Sequence, residues 1–149
     1  MSEIIIAKDT NWVGVNDRTT DLFEGLWPIE GVGVSYNSYI ILDEKKVLVD
    51  LAKGIKTDDF FTQISQFIPV ESLDYVIVNH MEPDHTGVLK TLREIAKKVE
   101  ILCTPKAVQM LKDYYGITEG IREVRDGETL STGDHELQFF HIPFVHCSS

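Results

Sequence analysis

Strand-like runs of apolar residues open the chain. Residues 11–15 and 36–42 are rich in aromatic and β-branched residues, which favour strands. A polar turn at 43–46 separates the second run from a short apolar run at 47–50, and this arrangement predicts a β-hairpin. Residues 16–33 between the first two strands are mostly polar and include three glycines, so we expect a long loop there.

Three helices are predicted in the middle of the chain. Apolar residues recur there at spacings of three and four, as on one face of an amphipathic helix. Asp58 and Asp59 suit the positive start of the first helix, Pro105 suits the start of the third, and Gly116 suits its end. The predicted helices span 58–68, 89–99 and 105–115.

Apolar runs alternate with these helices and predict the remaining strands. They lie at 75–78, 100–103, 121–124 and 137–142, and polar turns follow at 126–127 and 132–134. This order of elements favours a sheet that is covered by helices. We therefore expect one α/β (α+β) domain over residues 1–149, with a mixed β-sheet and helices on one face. No repeat or linker indicates a second domain.

The composition argues against several classes of protein. The 149 residues carry a net charge of -10, which disfavours contact with nucleic acid or an anionic membrane. No apolar segment approaches the length needed to span a bilayer. The two cysteines, Cys103 and Cys147, form no disulfide framework, as is usual in a reducing compartment. We expect a soluble, cytoplasmic protein.

Residues whose side chains could bind a metal ion are concentrated directly after the apolar run 75–78. His80, Glu82, Asp84 and His85 place two imidazoles and two carboxylates within six residues. In an open α/β sheet, ligands bind beyond the carboxyl ends of the strands, which is where this loop is expected. The sequence therefore predicts a metal site, with His146 as a further ligand from the last loop.

The spacing of these residues indicates how the ligands would be shared. Pro83 disfavours helix at Glu82, so His80 and Glu82 point the same way from an extended run and can reach one metal. The chain then turns into a helix, which makes Asp84 and His85 available to a second metal. Nitrogen and oxygen ligands suit iron, manganese or zinc, and the carboxylates favour iron or manganese.

Alternative readings remain open for several residues. The loop 80–85 would also fit a polar helix start with Asp84 or Thr86 as N-cap and solvated histidines. Asp50 fits either a residue that orients a ligand histidine or a plain turn residue. His135 and His141 are interpreted as surface and packing residues. Cys147 is interpreted as an exposed residue near the end, with a role as thiol ligand as the alternative.

The pattern His80-x-Glu82-x-Asp84-His85 resembles the N-terminal half of flavodiiron proteins (A-type flavoproteins), which are oxygen and nitric oxide reductases with a metallo-β-lactamase-like fold. The resemblance extends over nearly the whole chain, through Trp12-Val13-Gly14, the run 35–39, Leu48-Val49-Asp50, Leu102-Cys103-Thr104 and the run 143–146. Glutamate at the third motif position distinguishes these proteins from the hydrolases of the superfamily, which usually carry histidine there.

This resemblance implies roles for individual residues. His80, Glu82 and His146 would bind one iron, and Asp84 and His85 would bind the other, with zinc or manganese as substitutes. The family uses electrons from FMN to reduce O2 to water or NO to N2O. It places FMN in a flavodoxin-like domain, which is not present in residues 1–149. A bridging aspartate and a further histidine would also lie downstream, so we expect an incomplete site, with FMN on a partner or missing domain.

Half of an αββα sandwich implies a partner. We expect the sheet to carry helices on one face and to expose an apolar face on the other, which favours a homodimer through that face. Electrons would then come from a rubredoxin or a separate flavoprotein. Two other functions stay open: a hydrolase in which Asp84 assists a metal-bound hydroxide, and a non-catalytic remnant or interaction module.

Overall fold

The computed structural model describes residues 4–23, 25–82 and 86–142. Its helices are α1 (Thr57–Ser65), α2 (Leu89–Ile95) and α3 (Pro105–Tyr115), with short 3-10 turns at Gly54–Lys56 and Val70–Ser72. Its strands are β1 (Ile4–Ala7), β2 (Thr10–Trp12), β3 (Val15–Asp17), β4 (Leu22–Phe23), β5 (Trp27–Pro28), β6 (Val34–Tyr36), β7 (Tyr39–Leu42), β8 (Lys46–Val49), β9 (Tyr75–Ile77), β10 (Glu100–Cys103), β11 (Ile121–Glu123), β12 (Thr129–Ser131) and β13 (Glu136–Gln138).

A seven-stranded mixed sheet forms the centre of the fold, in the order β1-β2-β7-β8-β9-β10-β11. The first four strands are antiparallel neighbours, and β8, β9, β10 and β11 run parallel to one another. The parallel part arises because helices connect those strands, whereas a tight turn joins β7 to β8. The predicted mixed α/β sheet is confirmed.

The two faces of this sheet carry separate apolar clusters. Alternate residues such as Leu48, Val76 and Ile101 point to the face that we call the helix face, where they pack with residues of all three helices. The residues between them, such as Val47, Ile77 and Leu102, point to what we call the second face and form a smaller cluster. This alternation is the period of two expected of strands that are buried on both sides.

Two predicted strands are each broken in the middle. The predicted strand 11–15 divides into β2 and β3, and the predicted strand 36–42 divides into β6 and β7. At the break the chain leaves the large sheet for a two-stranded sheet of β3 and β6. Gly14 permits this crossing, because a Cβ there would clash with the Tyr36 carbonyl oxygen.

The predicted loop 16–33 also contains regular structure. β4 pairs with β5 as a small antiparallel hairpin, whose apolar residues Leu26 and Trp27 are 76% and 64% exposed. The run Ile4–Ile6, which carried no strand prediction, forms most of the edge strand β1.

Predicted helices begin near the expected positions, but two end early. α1 ends at Ser65 and α2 at Ile95, three and four residues before the predicted ends. α3 matches the prediction: the Thr104 hydroxyl accepts a hydrogen bond from the Ala107 N–H, and Gly116 closes the helix at φ 63°. The apolar residues beyond these two helix ends still contact the core. Ile68, Ala96 and Val99 pack on the helix face from the turns that follow the helices.

The second face is not left open as predicted. The hairpin β12–β13 lies over it, and Leu130 and Leu137 pack against Ile77 and Leu102. Ile77 is 7% exposed and Leu102 is fully buried. β12 was missed because its three residues include only one apolar side chain. Part of the face, which includes Trp12 and Tyr39, remains half-exposed.

Asp43 fixes this hairpin to the sheet. Its carboxylate accepts hydrogen bonds from the Thr132 hydroxyl at 2.8 Å and from the backbone N–H groups of Asp134 and His135 at 3.1 and 2.9 Å. Partial burial acts to raise the pKa of Asp43, but these bonds, with a fourth from the Glu44 N–H, hold that pKa well below its usual range. The carboxylate therefore stays ionised and joins two turns that are far apart in sequence.

Candidate metal centre

The candidate site lies at the carboxyl end of β9. Because β8, β9 and β10 are parallel, their carboxyl ends meet at one edge of the sheet, the usual position of ligand sites in open α/β folds. The loop after β9 carries Asn79, His80, Met81 and Glu82. Met81 is 3% exposed and packs into the helix-face cluster, whereas His80 and Glu82 are half-buried. Met81 thus faces the core, while His80 and Glu82 are both partly accessible to solvent.

His80 and Glu82 converge as predicted. The His80 Nε2 atom lies 3.4 Å from the Glu82 Oε2 atom. Two ligand atoms bound to one ion at about 2.1 Å, at angles of about 90 to 110°, are separated by roughly 3.0 to 3.4 Å. The distance thus fits two ligands of a single metal ion, and an imidazole with a carboxylate suits iron, manganese or zinc.

The other predicted ligands lie outside the described residues. Asp84, His85, His146 and Cys147 fall in the stretches 83–85 and 143–149. Over the ranges 4–23, 25–82 and 86–142, no group of three or more histidine, cysteine or acidic side chains is placed to hold a metal ion. The pair of His80 and Glu82 is therefore the part of the predicted site that the structure brings together.

Asp50 supports the loop that carries this pair. Its carboxylate accepts hydrogen bonds from the Asn79 N–H at 2.9 Å and the Asn79 side-chain amide at 3.2 Å. Asp50 has φ 57°, a left-handed conformation that aspartate tolerates better than most residues. The buried Ser38 hydroxyl hydrogen-bonds the Asp50 carbonyl at 2.6 Å. Of the two roles considered for Asp50, these contacts favour an orienting one, through the residue before His80.

Thr86 was considered as an N-cap, and the structure gives its side chain a different role. The hydroxyl hydrogen-bonds the carbonyl oxygens of Met81 and Glu82, at 3.3 and 3.0 Å, and the Tyr115 hydroxyl at 2.5 Å. Helix α2 starts after Val88 without any side-chain cap. The sequence gave no signal for the contact with Tyr115, because the two residues are 29 positions apart.

A buried ion pair lies under the same edge of the sheet. Asp17 is fully buried, and its carboxylate lies 3.6 Å from the Lys56 ammonium. Burial acts to raise the pKa of Asp17, but hydrogen bonds from Thr20 and Thr19, together with Lys56, hold that pKa well below its usual range. This pair fixes β3 to the turn Gly54–Lys56, where Gly54 approaches Gly87 just beyond the motif.

Cys103 supplies no ligand to the site. Burial, with a smaller contribution from the Glu123 carboxylate, raises the pKa of the Cys103 thiol to about 12. Metals bind the thiolate, and this thiol stays protonated near neutral pH. Its side chain packs in the helix-face cluster. The pair that the structure brings together, His80 and Glu82, offers one nitrogen and one oxygen donor.

His135 and His141 make contacts with residues of other turns. His135 Nε2 lies 3.1 Å from the Asp9 carboxylate, near the turn held by Asp43. His141 is exposed and lies beyond β13, so its predicted place in a strand was wrong. Its backbone N–H instead donates to the Asp126 carboxylate at 2.9 Å. These contacts agree with surface and packing roles.

Comparison with known proteins agrees with this fold. The family model described as ODP family beta lactamase matches residues 34–149. A nitric oxide reductase from Moorella thermoacetica is 31% identical over 144 residues, which are 96% of this chain and 36% of that protein. The chain thus spans about a third of the length of this curated relative.

In the part of the chain that the structure describes, no helix has the length and apolar character needed to cross a membrane.

Solved structures give the same result. The flavodiiron protein from Giardia intestinalis superposes with a TM-score of 0.89 at 31% identity, over 98% of this chain and 36% of that one. The rubredoxin oxygen:oxidoreductase from Desulfovibrio gigas superposes with a TM-score of 0.91 at 26% identity, over 99% of this chain and 37% of that one. The chain belongs to the ODP family of beta-lactamase-like proteins, and its relatives and structural neighbours are flavodiiron proteins and nitric oxide reductases.

Proposed function

We propose that this chain forms the first half of the iron-binding domain of a flavodiiron-type oxidoreductase. The observation that carries the proposal is the 3.4 Å approach of His80 Nε2 and Glu82 Oε2 at the carboxyl end of β9. Membership of the family supports the same reading, and so does the glutamate at a position where the hydrolases of the superfamily usually carry histidine.

The proposed ligand sets follow the motif. His80, Glu82 and His146 bind one iron, and Asp84 and His85 bind the other. A pair of ferrous ions held there would supply two electrons, which are half of the four needed to reduce O2 to two waters and all of those needed to convert two NO molecules to N2O and water. Glu82 offsets part of the cationic charge, while Asp50 holds Asn79 and thereby sets the position of His80. Zinc or manganese would substitute for iron at these donors.

The proposed reaction is the reduction of O2 to water or of NO to N2O. The names of the Moorella and Desulfovibrio relatives support these two substrates. FMN on a partner or on a further domain would deliver the electrons, and a rubredoxin or a separate flavoprotein would reduce it. Consumption of O2 or NO by the iron-loaded chain with a reduced donor tests this activity, and no consumption would contradict it.

We further propose that residues 1–149 form a single partial domain that works in the cytoplasm as a homodimer. The half-exposed part of the second face, around Trp12 and Tyr39, supports self-association. The sparse cysteines and the protonated, buried Cys103 are compatible with a reducing compartment.

Metal content is the decisive measurement for this proposal. After anaerobic reconstitution with ferrous iron, elemental analysis is expected to give about two irons per chain. His80→Ala and Glu82→Ala should each lower that content. His141→Ala is the matched control, because His141 is exposed and is not among the proposed ligands. Iron near zero in the unaltered chain would contradict the proposal and favour a non-catalytic remnant.

A metallohydrolase would give different results in metal-binding and activity assays. Binding of zinc in preference to iron, together with turnover of a simple ester or lactam, would support a metal-bound hydroxide mechanism with Asp84 as base. The flavodiiron proposal predicts retention of iron and no hydrolysis. The same purified protein can be used for both assays.

A further inference from the structure

The buried Thr86 hydroxyl connects the candidate site to the end of a helix. The Thr86 side chain is fully buried, immediately beyond the motif. Its Oγ1 atom lies 3.0 Å from the Glu82 carbonyl oxygen, 3.3 Å from the Met81 carbonyl oxygen and 2.5 Å from the Tyr115 hydroxyl. The hydroxyl thus contacts the loop of the motif on one side and helix α3 on the other.

The directions of these hydrogen bonds follow from the atoms involved. Carbonyl oxygens only accept, so the single hydrogen of the Thr86 hydroxyl is directed toward Glu82 and Met81. With its hydrogen donated to these carbonyls, the Thr86 oxygen is left to accept from the Tyr115 hydroxyl. The result is a chain of donors that runs from Tyr115 through Thr86 to the backbone of Glu82. Hydrogen bonds in such a chain polarise and strengthen one another.

Tyr115 occupies a well-defined position. It is the last residue of α3, and the left-handed Gly116 directly after it closes the helix. Ile117 is buried and holds the following turn in the core. The Arg93 guanidinium donates to the Val99 and Glu119 carbonyl oxygens and fixes the same turn to the end of α2. The phenol therefore serves as a fixed donor for Thr86.

We propose that Thr86 and Tyr115 are positioning residues for the metal ligand Glu82. The Glu82 carbonyl that Thr86 holds belongs to the residue whose carboxylate lies 3.4 Å from His80. Fixing that peptide fixes the direction of the Glu82 side chain, so the carboxylate is held ready for the ion. This inference rests on the proposed function, because it assumes that Glu82 binds metal.

Metal affinity in a series of hydroxyl variants tests the inference. Thr86→Val keeps the shape of the side chain and removes the hydroxyl, and Thr86→Ser restores it. Loss of an outer hydrogen-bond partner typically weakens metal binding by about 10- to 100-fold, and Thr86→Val should fall in that range. Tyr115→Phe should weaken binding in the same direction but less. Thr86→Ser should stay close to the unaltered chain.

The neighbouring tyrosine provides a matched control. Tyr114 lies on the same helix and is 76% exposed, so Tyr114→Phe should bind metal as the unaltered chain does. Titration with cobalt(II), followed by its visible absorption bands, reports both affinity and ligand geometry. We expect the bands of Thr86→Val and Tyr115→Phe to shift, and those of Tyr114→Phe to stay in place. Thermal unfolding of each metal-free variant separates binding from folding.

Each outcome of these measurements leads to a single conclusion. If the unaltered chain binds no cobalt(II), the proposed function and this inference both fail. If it binds cobalt(II) and Thr86→Val has the same affinity and bands, only the inference fails. A lower unfolding temperature with unchanged affinity of the folded protein would show a purely structural role and also overturn it. If Thr86→Val does not fold, Tyr115→Phe decides, and unchanged bands there would overturn the inference.

Discussion

At the scale of single residues, Asp17 is a buried charge that the fold depends on. Its carboxylate accepts hydrogen bonds from the Thr19 N–H and hydroxyl, and from the Thr20 hydroxyl at 2.5 Å. Asp17→Asn replaces one acceptor oxygen with a donor and leaves the Lys56 ammonium without its buried partner. We expect the free energy of unfolding to fall by about 1 to 3 kcal/mol, as measured by urea denaturation at neutral pH.

The stabilisation that Asp17 provides should decrease as the pH falls. The pKa of Asp17 is lower in the folded chain than its unfolded value of about 3.9, so its stabilisation is fully present above that value. It is lost as pH falls through the folded pKa. The difference between Asp17→Asn and the unaltered chain should therefore shrink below about pH 4. Asp21→Asn, at an exposed position, should change little, and a constant difference across the acid range would contradict the prediction.

Sequence spacing was informative for residues that act through local geometry. The i, i+2 relation of His80 and Glu82 in an extended run predicted their convergence, since alternate side chains of such a run share a side. The Tyr115 contact with Thr86 could not be predicted in the same way. It depends on where α3 ends relative to the motif, and that placement is set by packing of the whole helix face.

At the scale of elements, the hairpin β12–β13 is the cover of the second face. Leu130 is 7% exposed and packs with Ile77 and Leu102. Leu130→Ala should lower the free energy of unfolding by about 2 to 4 kcal/mol, because it removes buried apolar contacts and leaves a void. Urea denaturation measures the change. Leu26→Ala, at a position 76% exposed, should change it by less than about 0.5 kcal/mol. Equal effects of the two changes would argue against the hairpin as a cover.

Element boundaries were predictable where local chemistry sets them. Thr104, Pro105 and Gly116 carry the start and end signals of α3, and the helix obeys them. The division of the strand 11–15 has no such signal apart from Gly14, because both halves remain extended. The crossing from one sheet to another is fixed by the close approach of the Tyr36 carbonyl to Gly14, which only the folded chain shows.

At the scale of the whole molecule, the proposed homodimer can be tested on adjacent residues of β1. Ile4 pairs with Trp12, and Trp12 pairs with Tyr39, so Ile4 extends the uncovered part of the second face. Ile5 pairs with Asn11 and points to the opposite face. Ile4→Lys should weaken dimerisation by at least about tenfold, because two copies would bring like charges into the interface.

Sedimentation over a range of concentrations measures this change. Ile5→Lys is the matched control, since Ile5 is 69% exposed on the same strand, and the dimer should persist. If the unaltered chain stays monomeric, the proposed dimer is contradicted. If both variants lose dimerisation to the same extent, the interface lies elsewhere.

The overall architecture followed from the order of strand and helix patterns, because βα alternation restricts a chain to few arrangements. The covering of the second face did not follow. β12 and β13 are three residues each, with one apolar side chain apiece that faces the cluster, and so short a pattern is not distinguishable from a turn. The expectation of a fully open face failed for this reason.

The contact between Asp43 and Thr132 also has a consequence for synthesis on the ribosome. The two residues are 89 positions apart, so the carboxylate emerges long before its donors. At about 5 to 20 residues per second, roughly 4 to 18 s separate their synthesis. Val47 and Ile77 are likewise made before Leu130 and Leu137, the hairpin residues that pack against them. A nascent chain of this protein would therefore expose a binding surface for chaperones until β12 and β13 emerge.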